Sequence, residues 1–247
     1  MRIGAVAILA FALAAGPAPA VAAEVTLFSS NAINAVLKEL VPQFERASKH
    51  KVVMRLDYAS LLRKQIEAGA AFDVAILVGT LDRLVKAGRI APGTPVALGR
   101  SGYGLAVRAG APKPDIGTTE AFKKTMLNAK SVAFSKDGGS GRYFVSLLDR
   151  LGIAEAMKPK LRPGANTQKL VASGEVEMTV NGIVPILRSE GIDLVGPLPP
   201  ELQSYSTFYA GVSAASANKD AAAALLKFLA SPSSAAAFKK RGVEPAP

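Results

Sequence analysis

Val25, Leu27 and Phe28 with Thr26 read as a buried strand, the run breaks at Ser29, Ser30 and Asn31, and apolar residues resume at Ala32, Val36, Leu40 and Phe44. That fourth-residue spacing is the inner face of a helix. Short polar side chains at such a join cap the new helix, and the amides and positive dipole end there also suit an anionic ligand. Ligands collect at the carboxyl ends of strands in open α/β sheets. Capping alone accounts for the same residues, so the ligand reading needs support from the rest of the chain.

The strand-then-helix pattern recurs. Residues 52–56 read as a strand, 57–60 as a turn, and 61–68 as a helix with Leu62 and Ile66 inward, Leu61 beside them, and Gly69 as its cap. After Asp73, residues 74–78 are apolar on both faces, as a buried parallel strand is. A short helix over 81–87 follows. Such alternation means parallel strands with right-handed crossovers.

The pattern changes at residues 99–102, which precede an alternating strand over 103–107. Residues 112–116 stall regular structure, and a second series begins: helix 119–127, strand 131–135, helix 142–151, helix 167–172, strand 177–180, helix 183–189 and a strand end at 194–195. Residues 198–201 break it. The extended stretch 204–214 carries the chain back, and helices over 220–230 and 234–240 complete the first unit. The expected fold is α/β with two lobes, residues 24–101 plus 206–247 and residues 102–205. Each is a mostly parallel sheet flanked by helices, and two crossing strands join them over a cleft.

Met1 and Arg2 give a positive start, residues 3–15 are apolar, and Ala20, Val21, Ala22 and Ala23 supply small residues at a cleavage spacing. Residues 1–23 therefore read as a cleavable secretory leader, too short in its apolar run for a comfortable membrane span. A periplasmic protein is expected. The formal charge of +11 suits acidic partners. Nucleic acid is not expected, because the basic residues are scattered and Trp is absent. With no cysteine, a disulfide framework, a thiolate metal site and a cysteine nucleophile are all excluded.

Catalytic groups are scarce. His50 lies between a helix end and a strand, where solvation is its ordinary state, and no GxSxG, HExxH or phosphate-loop motif is present. Glu39 beside Lys38 and Glu67 near Lys64 read as solvated helix faces. Asp57, Asp73 and Asp137, near predicted strand ends, are turn residues or candidate bases. Binding groups are more plentiful. Asp137, Gly138, Gly139, Ser140, Gly141 and Arg142 follow a strand and open a helix, so successive N–H groups can converge on an anion. Arg142 can form a fork with a carboxylate or oxyanion. The turn at 163–167 repeats the arrangement, and Asn181 with Gly182 ends another strand. Turns of this kind from both lobes face each other across the cleft.

The chain resembles the periplasmic solute-binding proteins of bacterial ABC uptake systems, specifically the molybdate-binding type. The resemblance runs nearly end to end. It rests on Thr26, Leu27 and Phe28 with the 34–44 helix, the 63–69 segment with 72–76, the helix start at Ser140, Gly141, Arg142 and Tyr143, and the terminal 226–242 stretch. It implies a two-lobed fold of the type II class, a hinged cleft that closes on ligand, and delivery to an inner-membrane permease. In that family molybdate is held by two serine hydroxyls, a tyrosine and backbone amides. Those side-chain positions fall here on Ala32, Ala59 and Gly182, with Ser30 and Ser60 displaced nearby, while the amide contacts match Ser140 and Gly141 and the turn near 164–166. A buried oxyanion deprived of a charge-assisted donor loses roughly 1.5–3 kcal/mol for each. Ser29, Ser30, Asn31, Ser60, Arg142 and Asn181 are left as polar side chains for a larger ligand, such as an organic anion.

The expected protein is thus a monomeric, non-enzymatic capture protein for a small anion, partnered with an ABC permease and needing no cofactor or metal. Two alternatives stand beside it: a secreted enzyme using Asp57, Asp73 or Asp137 as base, and a sensor or scavenger without a transporter.

Overall fold

The computed structural model describes residues 22–136 and 138–245. The expected leader lies outside them apart from Ala22 and Ala23, and so does Asp137. In chain order the first unit holds β1 (Glu24–Ser30), a 3-10 turn (Asn31–Ile33), α1 (Asn34–Ser48), β2 (Lys51–Asp57), α2 (Ala59–Glu67), β3 (Val74–Val78) and α3 (Asp82–Lys86). β1 pairs in parallel with β2 and β3. Side chains alternate across a strand, so each face of β3 joins a different core. Val74 and Ile76 pack with Val36, Leu40 and Phe44 of α1, while Ala75 and Leu77 pack with Leu62 and Ile66 of α2 and Leu84 of α3. Each large apolar side chain so buried contributes roughly 1.5–3 kcal/mol of transfer free energy. Leu61, expected beside them, is 43% exposed, because α2 buries only the i, i+4 pair Leu62 and Ile66.

β4 (Val96–Arg108) then leads into the second unit: α4 (Thr119–Asn128), β5 (Val132–Ser135), α5 (Gly139–Arg150), α6 (Ala154–Met157), β6 (Leu161–Gly164), α7 (Thr167–Ala172), β7 (Met178–Gly182), α8 (Ile183–Arg188) and β8 (Ile192–Pro197). β5 pairs in parallel with β6 and β7, and β4 runs antiparallel between β7 and β8. Its main core gathers Leu105, Val107, Val132 and Val180 against Phe122, Phe144 and Leu147. The chain returns through β9 (Tyr205–Val212) and ends in α9 (Lys219–Leu229) and α10 (Pro232–Lys240) against α1. The two sheets repeat one strand order, β2-β1-β3-β9-β4 and β6-β5-β7-β4-β8.

β4 belongs to both sheets. Its first part, residues 96–102, pairs antiparallel with β9, and residues 103–108 pair with β7 and β8. The glycine-rich stretch 99–102, expected to break the chain before a strand, lies inside β4. A Cβ on Gly99 would stand 2.6 Å from the Glu244 carbonyl oxygen, and one on Gly102 would stand 2.8 Å from Gln203 Cδ. The glycines admit close neighbours without ending the strand. Gln203 occupies that space and ties the two crossings together. Its Oε1 accepts from Tyr103 N–H at 2.8 Å and Ser204 N–H at 3.0 Å, and its Nε2 donates to the Tyr103 carbonyl at 2.9 Å.

Candidate functional site

The carboxyl ends of β1, β3 and β7 and the crossing strands enclose a cavity of about 430 Å³. Lobe one contributes Ser30, the first turn of α2 with Tyr58, Ala59, Ser60 and Arg63, and Val78 at the end of β3. Lobe two contributes Gly138, Gly139, Ser140 and Arg142 around the start of α5, with Asn181 and Gly182 at the end of β7. Ser101, Tyr103 and Ser206 form the floor on the crossing strands. Neither α2 nor α5 has a side-chain N-cap, so their first-turn N–H groups and positive dipole ends belong to the cavity's electrostatics.

The structure therefore brings together Ser30, Ala59, Ser60, Ser140, Arg142, Asn181 and Gly182 from the sequence reading. Ser29, Asn31 and Gly141 are not among the lining residues. Ser29 is fully buried and its hydroxyl donates to the Ser30 carbonyl at 3.4 Å, while the Asn31 carbonyl accepts from Arg188 Nη1 at 3.2 Å. Gly141 sits where a Cβ would fall 1.7 Å from the Ser135 carbonyl oxygen, so glycine lets α5 seat on the end of β5. The 164–166 turn also lies outside the lining. Its neighbour Thr167 reaches the site indirectly, by accepting from Asn181 Nδ2 at 3.1 Å.

Two of the three candidate bases, Asp73 and Asp57, are not lining residues of the cavity. Asp73 precedes β3, at the opposite end from Val78, and is engaged by Thr26 N–H at 2.8 Å and the Ser216 hydroxyl at 2.6 Å. Asp57 accepts from Tyr58 N–H at 2.7 Å and is not a lining residue. Asp137 is outside the described residues. His50, expected to be solvated, accepts from Ala23 N–H through Nδ1 at 3.1 Å and packs beside Phe44. Among the described residues no carboxylate, histidine or lysine lines the cavity, and no group of three or more His, Cys, Asp or Glu is placed to hold a metal ion.

The family model for bacterial extracellular solute-binding proteins matches residues 25–244. The chain belongs to this family. This solute-binding protein is 33% identical over 231 residues to a Pseudomonas protein named aconitate isomerase, covering 90% of this chain and 88% of that one. It is 30% identical over 179 residues to the molybdate-binding protein ModA of Azotobacter vinelandii, covering 69% of each. The solved periplasmic molybdate-binding protein of A. vinelandii superposes with a TM-score of 0.72 at 17% identity, over 90% of this chain and 100% of that one, and so shares the type II fold.

Several lining groups of the solute-binding protein escaped the sequence reading. Arg63 lies in a helix that reads as amphipathic and solvated, yet its Nη2 donates to the Val78 carbonyl at 3.2 Å and it borders the cavity. Tyr103 stands directly across from Gly182 in the β4–β7 register and lines the cavity beside it. It stacks on Tyr143 with centroids 5.1 Å apart, and Tyr143 is itself fixed by donating to the Leu202 carbonyl at 2.6 Å. Only the pairing of β4 with β7, which is not local in sequence, could have revealed Tyr103.

Proposed function

We propose that this solute-binding protein captures a small organic anion carrying more than one carboxylate and presents it to an inner-membrane ABC permease from the periplasm. The observation that carries this reading is the placing of one guanidinium per lobe, Arg63 and Arg142, on the same cavity. Positive charge from both lobes suits a solute with more than one carboxylate, and charge-assisted hydrogen bonds contribute roughly 1.5–3 kcal/mol each. The volume of about 430 Å³ falls in the usual range for organic ligands, roughly 300–1,000 Å³. Family membership and the leader expected at residues 1–23 support the uptake role. One chain completes the cavity, so a monomer suffices. Closure follows from the ligand's better fit to the shut form.

The test is calorimetric titration and thermal denaturation of the chain lacking residues 1–23 with aconitate, citrate, succinate, acetate, molybdate and sulfate. Saturation at a hundredfold excess over Kd adds about 2.7 kcal/mol, or roughly 5–10 °C in a chain of this size. Polycarboxylates should give that shift and acetate should not. Stabilisation by molybdate alone would overturn the proposal.

The relative named aconitate isomerase favours a second reading, isomerisation of an unsaturated polycarboxylate in the same cavity. Its proton transfer needs a base, and Asp137, next to Gly138 in the chain, is the remaining candidate. Proton NMR of cis-aconitate incubated with the protein separates the two readings. Appearance of the trans isomer, lost in Asp137→Asn with binding retained, establishes the enzyme, and an unchanged spectrum with saturable binding establishes capture.

A further inference from the structure

A chain of hydrogen bonds fixes which way the Ser140 hydroxyl points its proton. Gly182 N–H can only donate, and it meets one end of the Asn181 amide at 2.8 Å, so that end is the carbonyl oxygen Oδ1. The other end, Nδ2, donates to Thr167 Oγ1 at 3.1 Å. Ser140 Oγ lies 2.9 Å from the same Oδ1, which has no proton to give, so the serine hydroxyl is the donor. Asn181 is 8% exposed and held at both ends, so its amide cannot turn over to reverse the pattern without stranding the Gly182 N–H. Ser140 therefore spends its one proton on the wall and shows the cavity only lone pairs.

From this we infer that the solute carries a hydrogen-bond donor beside a carboxylate, and that it is a hydroxycarboxylate. The inference rests on the organic-anion reading above. A lone-pair-bearing oxygen repels a fully deprotonated oxygen and attracts an O–H or N–H, so a site built this way discriminates against the analogue lacking the donor. An ammonium donor would stand on the same cavity as two guanidiniums, Arg63 and Arg142, which repel it. A neutral hydroxyl meets Ser140 without that conflict. Ser30 has the complementary polarity. Its Oγ accepts from Ala32 N–H at 3.4 Å, which leaves its proton for an anionic oxygen. The cavity thus distinguishes an oxygen with a proton, at Ser140, from an oxygen without one, at Ser30. Molybdate and sulfate, protonless at neutral pH, can use the Ser30 hydroxyl, the helix-start amides and the guanidiniums but leave the Ser140 oxygen without a donor.

Matched pairs differing by one hydroxyl test this: malate against succinate, and citrate against tricarballylate, titrated calorimetrically into the wild-type chain lacking residues 1–23 and into Ser140→Ala. The hydroxylated member of at least one pair should bind about fivefold to tenfold tighter in the wild type, the worth of one net neutral hydrogen bond. In Ser140→Ala the ratio should fall to about one, with melting within a few degrees of wild type. Equal or tighter binding of succinate and tricarballylate, or a ratio unchanged in Ser140→Ala, overturns the hydroxycarboxylate assignment and leaves the organic-anion reading standing. Binding of molybdate with none of the four acids overturns both.

Discussion

Replacing Gln203 with leucine removes the side chain that ties the two crossing strands while keeping its approximate size. Its carboxamide serves Tyr103 N–H, Ser204 N–H and the Tyr103 carbonyl at 2.8, 3.0 and 2.9 Å. The carbonyl keeps a second partner, Leu198 N–H at 3.0 Å, so its loss is small. The two N–H groups lose their acceptor. An unsatisfied donor costs about 1–3 kcal/mol when buried, and Gln203 is only half-buried, so the expected loss is about 2–4 kcal/mol. In a chain of this length 1 kcal/mol moves Tm by about 2–4 °C, which places the variant roughly 4–16 °C below wild type in scanning calorimetry. Gln203→Glu keeps the acceptor for both N–H groups but loses the bonds Nε2 donates to the Tyr103 carbonyl at 2.9 Å and the Leu198 carbonyl at 3.5 Å, so it should lie below wild type and above the leucine variant. A loss under about 1 kcal/mol for Gln203→Leu would show that water replaces the carboxamide and that this side chain does not hold the two crossings together. Because Tyr103 and Ser206 form the cavity floor, the leucine variant should also bind the solute more weakly.

Gly141→Ala places a Cβ 1.7 Å from the Ser135 carbonyl oxygen, which forces α5 off the end of β5. Overpacking against rigid backbone should cost more than about 3 kcal/mol in urea denaturation and abolish ligand binding. Asp73→Asn sets an N–H₂ or a neutral oxygen against two donors, Thr26 N–H and the Ser216 hydroxyl. It should destabilise by about 1.5–3 kcal/mol, with ligand affinity at saturating stability unchanged by calorimetric titration; a specific loss of binding or turnover would move the site to the far end of β3. Arg63→Lys keeps the charge but not the fork, so polycarboxylate Kd should rise about tenfold while stability stays within about 0.5 kcal/mol. An unchanged Kd would remove Arg63 from the ligand contacts.

The main elements of the fold were legible because their signals are local. The strand of residues 74–78 is apolar on both faces, and both faces are in fact covered, by α1 on one side and by α2 and α3 on the other. Helix starts were placed late where the residues read as turn formers: α5 begins at Gly139, whereas the apolar spacing is clear only from Tyr143 and Phe144 onward. β6 was missed for a related reason. It is an edge strand paired only with β5, it contains Pro163, and its burial is partial, so it has neither alternation nor a long apolar run to announce it. Glycine gave the wrong sign at 99–102, since a glycine that breaks a strand and one that admits a neighbour's side chain look alike in the chain.

The site divides along the same line. Ser30, Ser60, Ser140 and Arg142 lie at strand-to-helix turns, which parallel α/β topology gathers at one edge of each sheet, so the position in the pattern was enough to nominate them. Ser29 and Gly141 occupy the same turns and face the protein instead, because adjacent residues at a turn point in different directions and local pattern carries no information on which one looks outward. Arg63 reaches the site only through tertiary packing, which sets the end of β3 beside α2. Tyr103 needs more still, the register of β4 against β7 and the fixing of its ring by Tyr143. Selectivity needs most of all. The proton of Ser140 is committed by Asn181, whose own orientation is set by Gly182 and Thr167, so a hydroxyl that reads in the sequence as a generic donor becomes an acceptor through partners 41 residues away along the chain. On the hydroxycarboxylate reading those partners decide what the cavity accepts, and removing the acceptor at Asn181 or its partner at Thr167 should therefore alter the malate-to-succinate preference in calorimetric titration without either side chain having to touch the solute.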